Sequence, residues 1–248
     1  MPERRLRSII VFLAIWLAVS GAPRAQIPTT FQNLQHYPKD ISRDELIQQM
    51  RQFSFALGVR CQYCHTGGDG ISFDGVKFES DEKIPKVKAR QMLRMVNEIN
   101  TKVLAAISPR VDPPVRVSCV TCHRGSPVPR TLEDELMRAI TAEGTEAAAA
   151  RYRELRQNAH LGRYNFGEIT VTELARRLHR EKNVDAAIAM LKLNAEFYPK
   201  SAEIDLILGE VLLEKGDREA AIASFRAALE KQPNNARAKQ RLEELMKK

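Results

Sequence analysis

The chain has 248 residues, 44% hydrophobic and 28% charged, which is ordinary for a folded soluble protein of one or two domains. Its formal charge of +8 falls to +5 without residues 1–25, where Arg4, Arg5, Arg7 and Arg24 outweigh Glu3 and leave 35 basic and 30 acidic residues beyond. No dense Lys/Arg block with interleaved aromatics occurs, which argues against a nucleic-acid partner.

The first element is a leader. Met1–Ala25 has a basic flank, an apolar core over residues 9–19 and a small-residue stretch, Ser20-Gly21-Ala22-Pro23-Arg24-Ala25. This is the layout of a secretory signal peptide cut after Ala25. The apolar run is about half the roughly 20 residues a spanning helix needs. An uncleaved membrane anchor is the alternative reading, and no cysteine near the cut could carry a lipid.

Residues 27–40 form a polar lead-in with Pro28 and Pro38. Ser42-Arg43-Asp44-Glu45 has the form of a capping box, and Leu46, Met50, Phe53 and Leu57 then fall on one helical face, ended by Gly58. Residues 66–83, with four glycines, read as a loop or short hairpin. A second helix is expected from Pro85 to about Ile107, with Met92, Met95 or Val96, Ile99 and Val103 on one face. Pro109, Pro113 and Pro114 then break the chain, and 124–129 reads as a domain boundary.

Between these elements lie two pentapeptides, Cys61-Gln62-Tyr63-Cys64-His65 and Cys119-Val120-Thr121-Cys122-His123, which use all four cysteines of the chain. C-x-x-C-H is the attachment signature of c-type haem. Each thiol adds to a vinyl group of the porphyrin, and the adjacent histidine is placed to ligate the iron. The expected cofactors are two covalently bound haems c, on Cys61/Cys64 and Cys119/Cys122, with His65 and His123 as axial iron ligands. In bacteria such attachment happens outside the inner membrane, so the leader and the motifs agree on a periplasmic location.

The sixth ligand decides whether an iron is closed to substrates. His160 and His179 lie in a different part of the chain, and His36 precedes the first helix and reads as a surface residue. Methionine is the next ligand type to weigh. Met50 lies on the apolar face of the helix before Cys61, and Met92 and Met95 precede Cys119. Periodicity alone does not separate a ligand from a gap-filling thioether in the core.

The C-terminal part is built differently. Residues 132–156 look helical. Asp185-Ala186-Ala187-Ile188-Ala189 then aligns with Glu219-Ala220-Ala221-Ile222-Ala223 at an offset of 34, which also superposes Pro199 on Pro233. That period resembles the tetratricopeptide repeat, with helices expected near 168–181, 184–197, 202–214, 218–231 and 235–247. Two repeats are fewer than the three a free-standing array needs, so 132–156 or the N-terminal domain should cap it. The domains expected are a signal peptide 1–25, a dihaem cytochrome domain 26–130, a helical linker or cap 131–165 and repeats 166–248. The fold class is mostly α, with little regular sheet in the cytochrome domain and helical hairpins after it.

Phe31-Gln32-Asn33-Leu34-Gln35, the run from Ala89 to Asn100, the order helix–Met–C-x-x-C-H and Thr121-Cys122-His123-Arg124-Gly125 are similar to the cytochrome subunit of photosynthetic reaction centres. The resemblance covers roughly residues 30–130 and corresponds to one half of that four-haem subunit. It implies Met50 as sixth ligand of the first haem and Met92 for the second, with Met95 as the fallback. It implies an electron-transfer protein rather than an enzyme, with protein redox partners whose identities stay open and no small-molecule substrate. A repeat module where that subunit would continue suggests docking to a partner, a membrane complex included. The alternatives are a dihaem peroxidase-like enzyme with one open iron, and a structural metal or dithiol role for the cysteines. Lys39, Lys77, Lys83, Lys86, Lys88 and Arg90 read either as a basic rim for an acidic partner or as a solvated face.

Overall fold

The computed structural model describes residues 27–108 and 112–247; the expected leader, Met1–Ala25, lies outside them, as does Pro109. The chain divides between Pro127 and Val128 into two compact units. Both are helical, and among the described residues the sole β pairing is one antiparallel bridge, Thr66 to Lys77.

In the first unit, α1 spans Arg43–Leu57. Its N-terminus carries the expected capping box: the Glu45 amide donates to Ser42 Oγ at 3.2 Å and the Ser42 amide to Glu45 Oε2 at 3.2 Å. The Ser42 hydroxyl, which donates to Glu45 Oε2 at 2.6 Å, and then the Ser42 amide hold the Glu45 carboxyl below the usual carboxylate range. Gly58, at φ 66°, ends α1, and the next amide, Val59, donates back to the Ser54 carbonyl at 3.0 Å.

α2 spans Ile84–Glu98, with Pro85 in its first turn. The expected stretch to about Ile107 is helical throughout, but only its first part is a regular α-helix. The chain continues as a π-turn, Ile99–Val103, and a 3₁₀ turn, Leu104–Ala106. β-branched Ile99, Thr101 and Val103 crowd the preceding turn of a regular helix, and the Thr101 hydroxyl donates to the Asn97 carbonyl at 2.8 Å. The second pentapeptide forms its own short helix, α3, Cys119–His123.

The second unit holds α4 (Leu132–Glu143), α5 (Thr145–Gln157), α6 (Glu168–Arg180), α7 (Val184–Phe197), α8 (Ala202–Lys215), α9 (Arg218–Lys231) and α10 (Ala236–Met246). Consecutive helices pair as hairpins. α4, α6 and α8 adjoin in one row, α5 and α7 adjoin in a second, and α10 packs on α9. Residues 132–157 therefore stack as a hairpin at the head of the array. One apolar core runs from Leu132 and Leu136 through Tyr152, Leu174, Leu191 and Phe225 to Leu245.

The 34-residue offset recurs in the caps. Asn183 and Asp217 accept from Ala186 N and Ala220 N, and Ser201 and Asn235 from Ile204 N and Ala238 N. Asn183 and Asp217 are 34 apart, as are Ser201 and Asn235. Ion pairs bridge neighbouring helices: Arg177–Glu133 at 3.2 Å, Arg153–Glu196 at 2.8 Å and Arg237–Glu210 at 2.7 Å. Solvent-screened pairs contribute little to stability, so the apolar core holds the array.

At the α8–α9 contact a Cβ on Gly209 would lie 2.6 Å from the Phe225 ring, which is fully buried. One repeat earlier the equivalent residues are Ala175 and Leu191, so the larger side chain is matched with the smaller partner. Gly209→Ala gains about 1 kcal/mol of helix propensity but overpacks the site by about 1–3 kcal/mol. A lowered urea midpoint is expected for this variant, whereas a raised one would show that the ring can move aside.

Candidate haem-attachment site

The first motif is a 3₁₀ turn, Cys61–Tyr63, closed by Cys64 N to Cys61 O at 3.1 Å and His65 N to Cys61 O at 3.0 Å. The second is α3. Residues at i and i+3 stack on one face in a 3₁₀ turn and adjoin in an α-helix. Both local structures therefore set their two thiols side by side, with the histidine following. All four thiols are free. Burial pushes the Cys64 and Cys119 thiols up, Lys83 opposing it at Cys64, which keeps both protonated. Among the described residues no group of three or more His, Cys, Asp or Glu gathers as a metal-ion site.

The two histidines sit differently. The His123 ring donates from Nδ1 to the Ser126 carbonyl at 2.9 Å, which leaves the Nε2 lone pair available to a metal and raises the donor strength of the ring. His65 lies edge-on to Phe78, centroids 5.1 Å apart, and its Nδ1 is buried without a hydrogen-bond partner. Burial, with Lys86 adding, holds His65 down at about 4, and the Phe78 backbone pulls weakly the other way. That backbone carbonyl also accepts from Lys86 Nζ at 2.7 Å. A neutral imidazole is the form that ligates a metal.

The cations of the expected rim split into two sets. Lys83 donates to the Gln62 carbonyl, Lys86 to the Phe78 and Ser80 carbonyls at 2.7 Å each, and Arg90 to Asp81 at 2.7 Å and the Asn33 carbonyl at 3.1 Å. Lys86 and Arg90 side chains are only 12% and 13% exposed. These three hold loops in place. Lys39, Lys77 and Lys88 stay exposed and are what remains of a rim.

Met50 is half-buried on α1. Met92 and Met95, one turn apart on α2, are 45% and 44% exposed. α1 precedes the first motif in the chain but packs against α3, the second. Gly125 N donates to the Ala56 carbonyl at 2.8 Å, and a Cβ on Gly58 would collide with the Gly125 carbonyl. Tyr37 lies beside Cys119; burial first, and then that thiol, push it up to about 12, and the exposed His36 ring sits edge-on to it at 5.2 Å. Asn100, inside α2's π-turn, hydrogen-bonds the Val117 backbone. In the sequence Asn100 is marked as the end of the run that carries the family resemblance, whereas nothing there marks Tyr37.

Haem fits these residues on one further observation. Among the described residues of the first unit, Leu46 and Ala56 are the buried apolar residues, while Phe55, Met92, Met95, Val103, Ile107 and Val115 are exposed. A polypeptide of this length buries far more when its core is made of side chains, and these apolar surfaces match flat macrocycles standing in for a core.

Local geometry and architecture thus define a c-type cytochrome domain followed by a tetratricopeptide-like array. Residues 18–194 match the family described as photosynthetic reaction centre cytochrome C subunit, and the chain belongs to that family. It is 35% identical over 103 residues to cytochrome c-554 of Chloroflexus aurantiacus, covering 38% of this chain and 22% of that protein. It is 31% identical over 118 residues to the photosynthetic reaction center cytochrome c subunit of Rubrivivax gelatinosus, covering 47% and 28%. The corresponding subunit of Thermochromatium tepidum is 31% identical over 115 residues, covering 46% and 24%. The chain therefore spans about a quarter of the length of these relatives. Similar solved structures include the first TPR of Spaghetti (RPAP3) bound to an HSP90 peptide, TM-score 0.33 and 16% identical over 47% of this chain and 88% of that one. Another is the Yersinia enterocolitica chaperone SycD with a YopD peptide, TM-score 0.33 and 19% identical over 46% and 89%.

Proposed function

We propose that the protein is a periplasmic dihaem c-type cytochrome that passes electrons between protein redox partners, its helical repeats serving as the docking module. The observation that carries this reading is the pair of C-x-x-C-H motifs, each with its thiols on one face of a turn and its histidine ready to bind metal. Cys61 and Cys64 hold the first haem and Cys119 and Cys122 the second, with His65 and His123 as proximal ligands. Met50 supplies the sixth ligand of the first haem and Met92 that of the second, Met95 lying one turn away as the alternative. Bound haem supplies the one-electron chemistry; the chain holds the ligands and limits water around them. Among the described residues no helix is long and apolar enough to cross a membrane, and export through the leader Met1–Ala25 would deliver the chain to the periplasm.

Mass spectrometry of exported protein tests this. A mature chain carrying two added haem masses, on the peptides with Cys61/Cys64 and Cys119/Cys122, is the expected result. A chain without them would end the reading. Cyanide or carbon monoxide binding to the native protein would favour the enzyme with an open iron instead.

A further inference from the structure

α2 is tied to both attachment motifs, one at each end. Lys83, the residue that begins it, donates from Nζ to the Gln62 carbonyl inside the first pentapeptide. Asn100 lies in the π-turn that ends it and clasps Val117, 17 residues away: Nδ2 donates to the Val117 carbonyl at 2.8 Å, and Oδ1 accepts from the Val117 amide at 2.8 Å. A side-chain amide here makes the two-bond pairing that a strand residue would make. One orientation of the carboxamide satisfies both bonds, so its assignment follows from the network.

Val117 is two residues before Cys119, and Ser118 between them caps α3, its amide donating to Thr121 Oγ1 at 3.0 Å. Where Asn100 holds Val117, α3 must therefore begin. The π-turn closes over five residues instead of four, which re-aims every side chain after Glu98. That interruption turns a helix face toward a distant backbone segment, and such single π-turns recur at functional positions.

We infer that α2 is a strut between the two haem sites, with Lys83 and Asn100 as positioning residues for the first and second motif respectively. The inference rests on the dihaem reading. Groups that orient a ligand-bearing segment tune the metal they never touch, and haem potential responds to ligand geometry and surrounding hydrogen bonds. α2 also carries Met92 and Met95, so its two ends register the candidate methionines against both motifs at once.

The test is a potentiometric titration of the haem-loaded full chain, wild type against Asn100→Ala, Lys83→Met and the double variant. Asn100→Ala should move one of the two redox waves by up to tenfold in its equilibrium constant, about 59 mV for one electron. Lys83→Met should move the other wave, and the double variant both. Lys83→Arg, which keeps the charge and the donor, should restore its wave. If Asn100→Ala instead arrives with one haem, that haem should sit on the Cys61/Cys64 peptide. Overturning results are both variants moving the same wave, neither moving any, or Asn100→Ala losing the first haem. A wild type without two haem masses would defeat the underlying reading, separately from the strut.

Discussion

Gly58→Ala should be among the most damaging single-methyl changes in the cytochrome unit. The residue sits at φ 66°, where a side chain costs about 1–2 kcal/mol. Its new Cβ would also strike the Gly125 carbonyl, and backbone cannot rotate away as a side chain can. Relief requires α1 to part from the residues after His123, breaking the 2.8 Å bond from Gly125 N to Ala56 O. Together these amount to about 3 kcal/mol or more. Denaturant unfolding of the haem-loaded protein, followed at the Soret band, measures it. Gly70→Ala is the control: it has a similar φ of 82° but open space around it, so its loss should be near 1 kcal/mol. Equal midpoints for the two variants would mean that the Gly58–Gly125 approach does not constrain the fold.

Met50→His should change the redox behaviour of one haem more than any surface substitution. A thioether raises haem potential relative to a second imidazole, and axial ligands span potentials on the order of 0.8 V. Exchanging one for the other should lower one wave by on the order of 0.1 V. It should also remove one haem's share of the near-infrared sulfur–iron band. Met92→His should do the same for the other haem, and Met95→His should leave the band intact. A wild type without that band would refute both methionine assignments. A band lost with Met95→His and kept with Met92→His would move the second ligand by one turn.

The cofactor chemistry and most helices were legible in the residues, because both depend on local spacing. C-x-x-C-H needs a single turn to present two thiols and a ring, and a 3₁₀ turn and an α-helix both provide it. α1 was readable from Ser42 through Gly58 because caps and stripe lie within one continuous segment. The repeats were readable because a 34-residue period repeats its caps and small residues. The extent of the second helix was legible, since helical backbone runs on to Ala106; its π-turn was not, because an apolar stripe running to Val103 says nothing of what Asn100 pairs with, 17 residues away. The basic rim was overcounted for a related reason. A lysine's charge is visible in the sequence, but Lys83, Lys86 and Arg90 are turned inward by carbonyls and a carboxylate that the fold brings to them.

What the sequence determined alone is therefore the chemistry of short range: two C-x-x-C-H turns, the capped helices and the repeat. What only the tertiary structure decided is which segments hold those turns. α1 rests on the second motif although it precedes the first, Asn100 clasps the approach to Cys119, and His65 is buried against Phe78 while His123 is paired with a carbonyl. Short-range structure follows from backbone sterics and spacing that any window of the chain carries. Long-range pairing follows from which polar groups are buried together and must satisfy one another, and that is set only when the whole unit has folded.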